Sequence, residues 1–305
     1  MKDMTTKNIS NKLFYVFALV AVVCLVLFFP YFQKDMQKRP LFEKLGYTPQ
    51  GKFYKIVLGE FRWFMGDYLS FKSIIYYGGK VDKISERKFH EVEFYNLYRT
   101  IETSIILNPY NEDAYYFAQG AFTWDIGKIR EVNALLKYVM KYRTWDFKIP
   151  FFLGFNYAYF LKDYKTAAYY YKKASEISGS ALFTNLAARY FYEGGETELG
   201  IAYLKTMIKI TRKESIKKSY EVRLQALEAI YTIERAIKRY KEKNKALPKD
   251  IDELVRKGFL REVPKDPYGG KFYIDKDGKV RTTSKLAFKR PKHKKGNENG
   301  SNKSK

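Results

Sequence analysis

Between Lys12 and Lys34 the chain carries no charge for about 21 residues, 13–33. At a helical rise of about 1.5 Å per residue, such a run spans roughly 30 Å, the thickness of the hydrocarbon layer of a bilayer. No other feature constrains the chain as strongly. A cleaved leader is the rival reading, but its apolar region would be shorter and would end in small residues. This run ends Phe28-Phe29-Pro30-Tyr31-Phe32. The expectation is therefore an uncleaved transmembrane signal anchor over 13–33, behind a short N-terminal tail, 1–12.

The positive-inside rule does not orient the anchor, because Lys2, Lys7 and Lys12 before it are balanced by Lys34, Lys38, Arg39 and Lys44 after it. Layout does favour one direction. A short tail before a large domain leaves the N-terminus in the cytoplasm and the domain extracytoplasmic, on the inner (cytoplasmic) membrane. Cys24, the only cysteine, lies inside the run, so no intrachain disulfide or cysteine zinc site can form. Ala21-Val22-Val23 before it lacks the small residue of a lipidation signal, which makes Cys24 an ordinary membrane-embedded cysteine.

Residues 34–51 read as a linker punctuated by Pro40, Pro49 and Gly51. Beyond it, 46% apolar and 18% aromatic residues over the whole chain suffice for a packed core. The stretch 53–77 is apolar, but Lys55, Glu60, Arg62, Asp67 and Lys72 interrupt it. That pattern predicts an amphipathic soluble helix, paired with a second over 86–107, rather than another membrane span.

The clearest unit is 148–181. Phe151, Gly154, Phe155, Ala158, Leu161 and Tyr164 fall on one face of a first helix and its turn, and Ala167, Tyr171 and Ala174 on a second. Small residues let paired helices approach, and aromatics fill the space beside them. One unit upstream, Asn108-Pro109 closes a helix, Ala114, Tyr115, Ala118 and Phe122 open the next, and Ala134, Tyr138 and Tyr142 follow on its partner. One unit downstream, Ala187, Ala188, Phe191, Gly200, Leu204 and Met207 repeat the scheme around Gly194-Gly195. With a period of about 34 residues, these units resemble tetratricopeptide repeats (TPR). The resemblance implies an α-hairpin solenoid over 52–212, about four hairpins of which three are TPR-like. It also implies a scaffold whose groove takes a protein partner and which does no chemistry of its own.

Residues 215–244 predict one long amphipathic helix, then Leu247-Pro248, a short helix over 250–257 ended by Gly258, and two strands joined by Asp277-Gly278. Leu247-Pro248, Gly258-Phe259-Leu260 and the turn Asp266-Pro267-Tyr268-Gly269 resemble the end of type II secretion pseudopilins and type IV pilin-like proteins. Repeats intervene between anchor and module, and no prepilin cleavage motif precedes Leu13. The reading is therefore a borrowed pseudopilin-like module over 213–284, not a pilin subunit. The resemblance implies calcium near the turn, with Asp266, Asp275 and Asp277 as local carboxylates; acids in turns are more often turn formers.

The expected fold is thus mainly α: a transmembrane helix, a TPR-like solenoid and a small C-terminal α/β module with a β-hairpin. A basic tail, 285–305, cannot bury a core and is expected to be disordered. The formal charge of +24 favours anionic partners. His90 and His293 are the only histidines, and no phosphate loop, dinucleotide fingerprint or HExxH motif is present. His90 beside Glu91 and Glu93 reads as a helix-surface residue. No catalytic residue, cofactor, metal or small-molecule substrate is expected, nor specific nucleic-acid binding. The leading expectation is a membrane-anchored scaffold for a protein partner, with a place in a pilus or secretion assembly. The alternatives are a cytoplasm-facing adaptor whose tail binds anionic lipid or nucleic acid, and an envelope enzyme acting on polysaccharide.

Overall fold

Helices dominate the structure, a computed structural model that describes residues 2–37, 45–80 and 91–287. Pro40 in the linker, residues 86–90 of the second expected helix with His90, and the tail beyond residue 287 with His293 lie outside the described residues. Helix α1 (Lys2–Gln37) contains the uncharged run. Within it Tyr15–Lys34 has a mean hydropathy of 2.5 and none of it is buried. It is the one helix among the described residues long and apolar enough to cross a membrane.

The chain divides into two compact units, Met1–Tyr142 and Arg143–Lys305. The division falls inside the stretch 52–212 expected as a single run of repeats, at residues 141–147, which form consecutive turns instead of helix.

In the first unit, α2 (Gly51–Leu58) and α3 (Arg62–Gly78) replace the single helix expected over 53–77. Gly59 takes a φ of +50°, which only glycine adopts without strain, and a tight 3-10 turn over Gly59–Phe61 follows. Helix α3 packs along α4 (Glu91–Leu107) through Gly66, where a Cβ would stand 2.8 Å from Asn108 Cβ. Asn111 caps α5 (Glu112–Phe117) by accepting from the Ala114 N–H at 3.0 Å. That helix runs on in wider π-type turns over Ala118–Asp125 before α6 (Ile129–Met140). Leu97, Ile101 and Ile105, one turn apart on α4, are fully buried with Ala114, Tyr115, Ala118 and Phe122.

The second unit is a succession of antiparallel helices. These are α7 (Lys148–Tyr159), α8 (Tyr164–Ser178), α9 (Ala181–Glu193) and α10 (Thr197–Ile210), each packed on the next. Asp163 caps α8 through the Thr166 N–H, and Gly179, at φ +65°, stops it. The long helix α11 (Glu214–Asn244) then lies on α10 and α9. After α12 (Ile251–Arg256), β1 (Phe272–Ile274) and β2 (Val280–Thr282) form a two-stranded antiparallel sheet, with Tyr273 opposite Arg281. One core runs from Ala188 and Leu204 through Leu227, Ile230 and Ile233 to Leu254, Phe272 and Val280.

Candidate functional site

What shapes the surface of the second unit is the contact between small and ringed side chains. A Cβ on Gly154 would stand 3.1 Å from the Tyr171 ring, and one on Gly200 would stand 3.1 Å from Leu227 and 3.2 Å from Phe191 Cβ. Tyr171 stacks on Tyr190 with centroids 5.2 Å apart. Ala158, Ala167, Ala174 and Ala187 are buried in one cluster with Tyr171 and Phe183, and Phe151 and Phe191 pack against it half-buried. Glycine and alanine let the helix axes close up; the rings occupy the gaps left beside them.

This packing leaves a groove between α8 and α10, the second helix of each hairpin, with a volume of about 960 Å³. Tyr169, Tyr203, Leu199, Met207 and Ile210 supply apolar surface, and Phe191 of α9 closes the bottom. Tyr169, Leu199 and Ile210 are each more than half exposed, although no sequence rule requires apolar residues there. Lys165, Lys172, Glu176 and Glu196 line the rim. Lys165 pairs with Glu196 at 3.4 Å and Lys172 with Glu176 at 3.8 Å, while the Lys172 ammonium sits 5.9 Å from the Tyr203 ring. From Glu196 to Ile210 the groove extends roughly 20 Å at helical rise, room for about four turns of a partner helix. An apolar floor with a rim of both signs suits an amphipathic protein segment better than a small polar molecule.

Among the upstream positions, Ala114, Tyr115, Ala118 and Phe122 are fully buried. Ala134 corrects the sequence reading: it is exposed, and Val132, Leu135, Leu136 and Val139 form the buried face of α6. Helix α6 starts afresh at Ile129, and its apolar positions 132, 135, 136 and 139, spaced three and four apart, set the buried face, which leaves Ala134 on the other side.

The C-terminal turn is held from within. Asp266 Oδ1 accepts from the Tyr268 N–H at 2.9 Å, and its Oδ2 accepts from the Ser284 hydroxyl at 2.6 Å and from the Thr282 hydroxyl. Pro267 and Gly269, at φ +78°, complete the bend, and the Tyr268 ring lies under the Arg223 guanidinium at 5.1 Å. Asp275 accepts from the Asp277 and Lys279 N–H groups at 3.0 and 2.9 Å, and from Arg281 Nε at 3.0 Å. Two of the three carboxylates that the resemblance offers to calcium thus shape turns, and Asp277 points outward, exposed. Among the described residues no group of three His, Cys, Asp or Glu side chains could hold a metal ion.

Sequence reasoning missed a polar clamp between α9 and the hairpin. Arg281 pairs with Glu193 at 2.5 Å and with Asp275 at 3.0 Å, Lys279 approaches Glu193 Oε2 at 3.8 Å, and the Tyr192 hydroxyl donates to the Val280 carbonyl at 2.5 Å. These partners lie up to 88 residues apart, beyond any local pattern. Burial raises the Asp275 carboxyl, but the Lys279 N–H, Arg281 and the Asp277 N–H outweigh it and hold the group below the usual aspartate range. Glu234, beside the clamp, moves the other way: burial raises it, against the Thr197 hydroxyl that donates to it at 3.2 Å and the charge of Lys279.

Tyrosines are abundant, and among the described residues every phenol whose titration is shifted is shifted upward. Burial raises Tyr171, Tyr190, Tyr192 and Tyr203, and burial with Glu102 and Glu131 pushes Tyr98 up to about 12. These rings serve packing. Compared with known protein families, curated proteins and solved structures, the chain matches none of them.

Proposed function

We propose that this chain is a single-pass membrane-anchored scaffold of TPR-like repeats whose groove between α8 and α10 holds an amphipathic segment of a partner protein. The open aromatic groove carries the reading: its lining is largely apolar, with Tyr169, Leu199 and Ile210 exposed to solvent, and its rim carries both charges. Helix α1 tethers the scaffold to the inner membrane, with the N-terminus cytoplasmic and the helical units outside. The pseudopilin-like turn at Asp266-Pro267-Tyr268-Gly269 supports a place in a pilus or secretion assembly. No cofactor or small substrate is part of this reading.

A photo-crosslinking amino acid at Tyr169 or Leu199, in the full chain in its native membrane, tests it. The expected result is one discrete protein adduct at both positions. Leu199→Asp, which puts a charge on the floor, abolishes the adduct from position 169. Adducts that are absent, or that survive Leu199→Asp unchanged, would overturn the groove reading. A reporter fused after Lys305 tests the orientation separately.

A further inference from the structure

Helix α3 is apolar on two opposite sides. Its buried side, Gly66, Leu69, Ser70, Ser73 and Tyr76, faces the core of the first unit. At 100° per residue, Phe61, Phe64, Tyr68, Phe71 and Ile75 fall roughly opposite, at intervals of three and four residues. Phe61, Phe64 and Phe71 are 76, 71 and 63% exposed. Helix α2 adds Phe53, Ile56 and Val57, also exposed. A stripe of exposed aromatic side chains on a helix that already has a core face marks a surface that meets something other than water.

Three observations identify the cover as lipid. The residues between Gln37, the end of α1, and Gly51, the start of α2, number 50 − 37 = 13, and even fully extended they reach only on the order of 45 Å. The stripe is therefore leashed to the membrane surface by the helix before it. Second, Lys52 and Lys72 stand against Glu60 on α2, α3 and the turn between them, where Lys55 is turned inward to the Tyr138 hydroxyl at 3.1 Å, and the sequence of the leash adds Lys38, Arg39 and Lys44. The Asp67 carboxylate is occupied by the Asn108 and Asn111 amides, both at 2.7 Å. The surplus is basic and matches anionic headgroups. Third, the stripe is aromatic, the composition that settles at the boundary between headgroups and acyl chains.

We infer that the outer face of α2 and α3 lies in the membrane interface, its phenylalanines sunk below the headgroups and its basic residues among them, so that the first unit rests on the bilayer. The inference rests on α1 crossing that bilayer, and the test reads the two separately. In the full chain, Cys24 is the only cysteine, so a nitrobenzoxadiazole label on it reports the anchor directly. The same label goes on Phe64→Cys or Phe71→Cys in a Cys24→Ser background. The vesicles are phosphatidylcholine with phosphatidylglycerol as the minor anionic lipid.

Nitroxide-bearing lipids dim both stripe positions about twofold, and aqueous iodide leaves them bright. Iodide quenching without nitroxide quenching puts the face in water and overturns the proposal. Protection from both quenchers puts protein on the stripe, a second copy included, and overturns it equally. A bright Cys24 label under nitroxide lipids sinks the anchor, whatever the stripe does.

Discussion

Helices α3 and α10 pose the same physical problem and meet different solutions. Each has apolar residues on more sides than one neighbour can cover. In the second unit the chain covers one further side of α10, where α11 lays Leu227 against Gly200 and Ile201 and Leu204 become core, while Leu199 and Ile210 stay open in the groove. In the first unit no described segment covers Phe61, Phe64 and Phe71, and they stay exposed. The end of a helical stack needs a lid, and a lid can be made of protein or of lipid. Both helices are apolar on more than one side; what differs is whether a described segment returns to cover the second.

The contrast is sharpest in paired truncations. Leu204→Ala, in a fully buried site, is expected to cost about 3 kcal/mol, while Phe64→Ala changes stability by less than about 0.5 kcal/mol, both read by urea unfolding in detergent. Equal costs would mean that the stripe is covered by protein after all. Gly154→Val tests the small-and-ringed contact: with the Tyr171 ring already 3.1 Å from a Cβ, overpacking is expected to cost about 1–3 kcal/mol. A neutral result would mean that α7 and α8 can slide apart freely. Arg281→Ala opens the clamp that fastens the hairpin to α9, at about 1–2 kcal/mol for charged hydrogen bonds that are only part-buried.

The pH dependence of that clamp has a definite sign. Asp275 is held below its unfolded value of about 3.9, so its contribution is complete above that pH and is lost as pH falls through the lower folded value. The difference in unfolding midpoint between the parent chain and Asp275→Asn should shrink across that acid window. A gap that persists to the lowest pH would show that the carboxylate is not what holds the turn. The smallest effect belongs to the groove rim: Lys165→Ala, which removes an exposed pair at 3.4 Å, should shift stability by less than about 0.5 kcal/mol while still altering crosslinking from Tyr169. A large stability loss there would make the rim part of the fold and not of the binding surface.

Much of the helical order was legible because it is written locally. Asn111, Asp163 and Asp250 cap helices three residues ahead through their own side chains, Gly179 stops one in the left-handed region, and Asp277-Gly278 turns a hairpin. The small-and-aromatic spacing of Gly154, Ala167 and Tyr171 likewise repeats within one hairpin. Two local readings went astray. Gly59 breaks a run that looks continuous, and the helix that begins at Ile129, after the widened turns, buries the side of Val132, Leu135, Leu136 and Val139 and leaves Ala134 exposed.

The candidate site is another matter. By itself the sequence determined that residues 13–33 of α1 are uncharged and apolar, that helices with close-packed faces follow, and that a short hairpin comes after the long helix, since each follows from neighbours a few residues apart. Only the tertiary structure decided that the groove opens between α8 and α10, that Glu193 meets Arg281, and that one side of α10 gains a lid while, among the described residues, the outer face of α3 does not. Periodicity tells which side of a helix avoids water; it does not say which distant segment, if any, will arrive to cover it.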